Sequence, residues 1–340
     1  MTGCATGPDL ARTGIDRGDV EAAADRVGWR VRRTPTVVVD AAPFGHPVAL
    51  KLELLQHTGS FKPRGVLNRL LAADLEPGSR VIAASGGNAG LAVAYAAREL
   101  GLRADIVVPV SCPAVKVDRL RALGASVTRA GAFYPDAYAV AAGTAQRTGT
   151  PLVHAYDQAE VCAGQGTLAL ELIEQAGPVD TVLVAVGGGG LVAGIAAALE
   201  DRVRVVGVEP EGCPTLHAAL AAGRPVDVPV GGIAADSLGA GRIGEVCWAV
   251  ARRTGLRSVL VPDEAIARVR RRLWDELRVL AEYGGATALA PLITGAYLPE
   301  RGERVAAVVC GGNTDPAGVL TDPPARRPID PPAGRPIDMT

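Results

Sequence analysis

Residues 181–199 read Thr-Val-Leu-Val-Ala-Val-Gly-Gly-Gly-Gly-Leu-Val-Ala-Gly-Ile-Ala-Ala-Ala-Leu, a stretch without a single charge. Its length would suffice for a membrane span. Four consecutive glycines, Gly187, Gly188, Gly189 and Gly190, nevertheless break it in the middle. The first half is a β-branched apolar run and the second an alanine-rich helix former, so the stretch reads as strand, glycine loop and helix. Four glycines in a row are costly in chain entropy unless the backbone itself is a binding surface. Their exposed amides at a helix start therefore point to a phosphate more than to tight packing. No Gly-Lys-Ser/Thr ending follows, which excludes a Walker loop, while Glu209 after the next expected strand keeps a dinucleotide reading open.

The same alternation extends outward in both directions. Short apolar runs at 36–39, 48–53, 81–84, 104–108, 126–129, 181–186, 203–208 and 305–309 are expected strands. Helices are expected at 88–99, 114–123, 134–148, 165–175, 191–200 and 263–280. Strand and helix in turn define an α/β protein built on largely parallel sheets, with two compact regions meeting near Thr148-Gly149-Thr150-Pro151. From residue 321 the chain becomes proline-rich and repeats Arg-Pro-Ile-Asp, the composition of an extended, disordered tail.

Composition narrows the function classes. With 48% hydrophobic residues and a formal charge of −1 the chain buries a sizeable core and shows no polyanion-binding character, so neither nucleic acid nor membrane is an expected partner. Asp9, Asp16, Asp19, Glu21 and Asp25 are incompatible with a secretory signal, and cytoplasmic localisation is expected. Six scattered cysteines without a Cys-x-x-Cys spacing, beside four histidines, signal neither a disulfide framework nor a zinc site. No metal site is predicted.

Only three of the 35 basic side chains are lysines: Lys51, Lys62 and Lys116. Arginine serves wherever a positive surface is wanted but cannot be deprotonated to attack a carbonyl, so each retained lysine is a chemical candidate. Lys51 alternates with Glu53 on an expected strand and reads as its solvated partner, and Lys116 falls in an amphipathic helix. Lys62 stands at a strand-to-helix turn, where amides and the helix dipole disfavour its charge and an amine becomes a nucleophile or base. Ser85-Gly86-Gly87-Asn88-Ala89-Gly90 repeats the strand, small-residue loop and helix pattern, which suits a carboxylate or is merely a capped turn. Cys310, ahead of Gly311-Gly312-Asn313, and Glu282, ahead of Tyr283-Gly284-Gly285, are equally readable as a core thiol and a first-turn acid.

Taken in order, Ser60-Phe61-Lys62-Pro63-Arg64-Gly65, the Asn88 loop, Gly164-Gln165-Gly166-Thr167, the tetraglycine loop, Val208-Glu209-Pro210 and Cys310-Gly311-Gly312-Asn313 resemble the serine/threonine dehydratase family of pyridoxal-phosphate (PLP) enzymes. The resemblance implies PLP fold type II, the tryptophan-synthase-β-like architecture of two open twisted sheets. A large domain of residues 1–75 and 153–320 would carry the cofactor, with a smaller substrate-loop domain of residues 76–152 inserted. It implies that Lys62 carries PLP as a Schiff base, that Phe61 lies against the ring and that Asn88 hydrogen-bonds the 3-oxygen. Gly187, Gly188, Gly189, Gly190 and Leu191 would hold the phosphate, and Ser85, Gly86, Gly87, Asn88 and Ala89 the substrate carboxylate. Cys310 takes the position that meets the pyridine nitrogen, where a neutral thiol favours β-elimination over transamination.

The activity so implied is loss of water from L-threonine or L-serine to give a 2-oxo acid and ammonia, in a homodimer acting on a small amino acid. The alternatives are β-replacement, racemisation, elimination on hydroxyaspartate or phenylserine, or a nucleotide-binding α/β protein. Pro63 follows the lysine where sulfhydrylases carry Asp, and Gly86 stands where racemases carry a serine on the opposite face. Thr215 stands near the place of an acid in relatives that bind a cation beside the equivalent of Glu209. With so few residues after Asn313, no allosteric regulatory domain is expected.

Overall fold

Val182, Leu183 and Val184 are fully buried, as a strand covered on both faces requires, and they lie at the centre of a six-stranded sheet. A computed structural model describes residues 14–322 of the chain. Its strands are β1 (Thr36–Val39), β2 (Val48–Lys51), β3 (Arg80–Ala84), β4 (Arg103–Val108), β5 (Ser126–Arg129), β6 (Thr181–Ala185), β7 (Arg204–Pro210), β8 (Arg257–Val261) and β9 (Val305–Val308). The large sheet runs β1-β2-β9-β6-β7-β8, with only β1 antiparallel to its neighbour. The small sheet, β3-β4-β5, is wholly parallel. Helices flank both, as the α/β reading anticipates.

The opening stretch resolves into β6, the glycine loop and the helix Gly190–Leu199, whose every residue is buried. That helix packs against Ala159–Ala176, where Gly166 and Gly194 bring the two backbones so close that a Cβ on either would collide with the other helix. No helix among the described residues is long and apolar enough to cross a membrane.

Three expectations change. Glu53 leaves the strand for a 3-10 turn, Glu53–Leu55. β8 was not anticipated, because a half-exposed edge strand opening with Arg257 and Ser258 carries little apolar signal. Lys51 is not solvated: it is fully buried and pairs with Glu171 at 2.7 Å rather than with Glu53, while also donating to Thr34 O and Gln175 Oε1. Residues 323–340 of the expected tail lie outside the described residues. Asp322, at its start, is buried and accepts a hydrogen bond from Tyr283 Oη.

Candidate active site

The carboxyl ends of β3, β4, β6 and β9 converge, and between the two sheets a cavity of about 410 Å³ opens there. Of the sequence-predicted residues, Lys62, Ser85, Gly86, Gly87, Asn88, Ala89, Gly187 and Gly188 line it. Phe61, Leu191 and Cys310 are buried in the large core behind these walls.

Lys62 opens the helix Lys62–Ala72. Its segment is clamped to the end of β9 by Phe61 N donating to Cys310 O at 3.1 Å and by the Ser60–Gly311 bridge. The Nζ donates to Ala155 O at 2.7 Å and lies 4.9 Å from the centre of the Phe61 ring. Desolvation lowers its pKa to about 8, against the weaker pull of Cys310, Cys162 and Glu282. The Cys310 thiol is pushed up by burial, stays neutral and donates to Gly284 O at 3.4 Å.

Asn88 starts the helix Asn88–Glu99 and is held from both sides. Asn313 Nδ2 donates to Asn88 Oδ1 at 2.8 Å and to Thr58 O at 2.7 Å, which fixes the amide so that Asn88 Nδ2 faces the cavity acid Glu282 at 2.7 Å. The close pass of Asn313 explains Gly59, whose φ of 77° and crowded Cβ position exclude other residues. Glu282 is no mere first-turn acid. It lines the cavity, is buried, and has its pKa raised to about 7 by desolvation, partly offset by the Asn88 hydrogen bond. Asn313 and Glu282 had no predicted role, because their partner Asn88 is more than 190 residues away in sequence. Lys116 likewise reaches the cavity and pairs with Asp236 at 2.5 Å.

The tetraglycine loop forms a cradle. Packing accounts for its lack of side chains: a Cβ would strike Leu238 from Gly187, Tyr156 from Gly188 and Gly190, and Cys247 from Gly189, which also has φ 90°. Packing alone therefore already demands glycine at these four positions, whatever the loop binds. The helix start at Gly190 has no side-chain cap, and among the described residues the amides of Gly187 to Leu191 donate to no protein acceptor. An uncapped helix start with free amides is an anion site in waiting.

Glu209 is buried, with Leu216 N at 2.7 Å, His217 N at 2.8 Å and the Ser258 hydroxyl donating to it. No group of three or more His, Cys, Asp or Glu that could hold a metal is assembled among the described residues.

A desolvated lysine and glycine amides with no protein acceptor, brought to one cavity of an α/β protein, suit a carbonyl compound that bears a phosphate. The comparisons say which: the chain belongs to the pyridoxal-phosphate dependent enzyme family, whose profile matches residues 30–311. It is 37% identical over 302 residues to the L-threonine ammonia-lyase of Geobacter sulfurreducens, covering 87% of this chain and 75% of that protein. It is also 37% identical over 295 residues to the phenylserine dehydratase of Ralstonia pickettii, covering 84% and 90%. The structure of maize serine racemase superposes with a TM-score of 0.84 at 30% identity, covering 90% and 96%. The residues present fit that cofactor: an aldehyde calls for an amine that sheds its proton near neutrality, and a phosphate for free amides that no side chain obstructs.

Proposed function

We propose that this chain eliminates water from L-threonine or L-serine, giving a 2-oxo acid and ammonia. The observation that carries the proposal is Lys62, a desolvated amine held beside Asn88 and the glycine cradle in a single cavity. PLP, when bound, supplies an electron sink for the charge that develops on the substrate Cα. Lys62 Nζ is the base that takes the α-proton, its depressed pKa leaving it partly unprotonated near neutrality. Ser85, Gly86, Gly87 and Ala89 offer the substrate carboxylate a helix start, and Gly87 opens onto the cavity. Phe61 and Cys310 are assigned to one ring face and to the ring nitrogen. Departure of the β-hydroxyl with a proton leaves an enamine, which on release hydrolyses to the 2-oxo acid and ammonia.

Racemisation needs a proton carrier on the second face. Gly86 provides none, and a side chain there would meet Cys112 Sγ at 2.7 Å. Tyr134 and Tyr156 in the cavity wall favour one second reading, elimination on a β-aryl substrate such as phenylserine, the substrate class named for the Ralstonia relative. We further assign residues 14–75 with 153–320 and residues 76–152 to two lobes, residues 1–13 of the expected large domain lying outside the described residues, and take the enzyme to be a cytoplasmic homodimer. Five free cysteines among the described residues support a reducing compartment.

Incubation with PLP is expected to produce a visible absorbance band that borohydride removes, and L-threonine to yield 2-oxobutanoate. Lys62→Ala should lower turnover roughly 10³-fold or more without loss of fold. A folded protein that forms no such band overturns the assignment. A kcat/KM for phenylserine above that for threonine selects the second reading.

A further inference from the structure

An amide N–H and the carbonyl of the preceding residue belong to one trans peptide plane and point in opposite directions, so whatever grips the carbonyl aims the amide. Three consecutive carbonyls of the tetraglycine loop are gripped. Gly189 O accepts from Ala193 N at 2.9 Å as the first turn of the helix, and Gly188 O accepts from Gly244 N at 3.1 Å. Gly187 O is held by a side chain: the hydroxyl of Thr215 donates to it at 2.5 Å. The three grips turn the amides of Gly188, Gly189 and Gly190 to the other side. Each of those amides lacks a protein acceptor among the described residues.

Thr215 is itself fixed. It is fully buried at the first position of the helix Thr215–Ala222, and its hydroxyl oxygen lies 3.3 Å from Glu209 Oε1. Glu209 is pinned in turn by the amides of Leu216 and His217 and by Ser258. Thr215 has one proton to give, and the shorter contact assigns it to Gly187 O.

We propose that Thr215 is a positioning residue that aims the Gly188 amide at the cofactor's phosphate by holding the Gly187 carbonyl away from it, without touching the phosphate itself. The proposal rests on the cofactor assignment above. It places the phosphate selectivity of the site partly in a hydroxyl on a neighbouring helix.

The test compares dissociation constants of PLP and of pyridoxal, which lacks the phosphate, for the cofactor-free full chain by fluorescence titration. Thr215→Val is expected to lower the preference for PLP over pyridoxal about tenfold, the effect of losing one amide bond to a charged group. Thr215→Ser should retain it. Thr215→Ala, which removes the hydroxyl without adding bulk, is read on the same ratio, so a misfolded valine variant leaves the test standing. Equal weakening of both ligands, or an unchanged ratio in the folded variants, overturns the positioning role. A wild-type chain with no preference for PLP overturns the cofactor assignment and this role with it, whereas an unchanged ratio in the variants overturns the role alone.

Discussion

Burial acts on Lys62 and Glu282 in opposite senses, and the two effects have separate pH signatures. Lys62 falls to about 8 in the folded chain from the 10.5 of a free lysine. Between those values the unfolded chain holds the extra proton, so stability rises with pH. Glu282 rises to about 7 from 4.5, so between those values the folded chain holds the extra proton and stability falls as pH rises. As far as these two groups decide it, the cofactor-free protein is least stable near pH 7 to 8. Glu282→Gln keeps an acceptor for Asn88 and removes the descending limb. Relative to wild type it is expected to gain up to about 3 kcal/mol at pH 7.5 and little at pH 4.5, in urea unfolding of cofactor-free protein. An equal difference at both pH values would refute the assignment. Lys62 was legible in the sequence because its neighbours form a contiguous motif. Glu282 was not, because its environment is made by segments that meet only in the folded chain.

At the scale of elements, the helix Lys62–Ala72 is seated on a buried ionic cluster. Arg64, two residues beyond Lys62, sends Nε and Nη2 to Glu53 at 2.8 and 2.9 Å, and Nη1 and Nη2 to Glu171 at 2.8 and 2.9 Å. Lys51 closes the group on Glu171, and the Thr34 hydroxyl donates to Glu53. The cluster joins β2, the 3-10 turn, this helix and the helix Ala159–Ala176. Paired carboxylates raise the Arg64 pKa above the ordinary value despite desolvation, so the guanidinium is held charged. Arg64→Lys keeps one charge but cannot fork to two carboxylates. It is expected to cost about 1–3 kcal/mol in denaturant unfolding and to weaken PLP retention, because Lys62 rides on the same turn. A stability within 0.5 kcal/mol of wild type, with roughly that precision of measurement, would show the fork to be dispensable. Helices such as Asn88–Glu99 and Tyr134–Thr148 were read to the residue, since their flanking Gly and Pro signals are local. The ionic cluster was misread, because alternation on a strand does not say what covers its other face.

For the whole molecule, strand order is the step that sequence could not supply. β9, the last strand among the described residues, inserts between β2 and β6 and so delivers Cys310, Gly311 and Asn313 to the centre of the site. Side-chain contacts bridge the wall of the cavity from its two sides. One of these is an ion pair, Lys116 of the helix Ala114–Ala122 with Asp236 of Ala235–Leu238, both in the cavity wall. Asp236 is 75% exposed and Lys116 31%, so solvent screens the pair and its worth to stability is about 1 kcal/mol at most. Both residues line the cavity, so loss of the pair acts where substrate would bind. Lys116→Gln is therefore expected to leave the unfolding midpoint unchanged while raising the substrate KM roughly two- to fivefold, the kinetic equivalent of a weak ion pair. Salt should separate this from a direct contact: added NaCl raises KM in the wild type by screening the pair, and the variant should show a flatter dependence. Equal salt slopes in the two proteins would show that the pair plays no part in substrate binding.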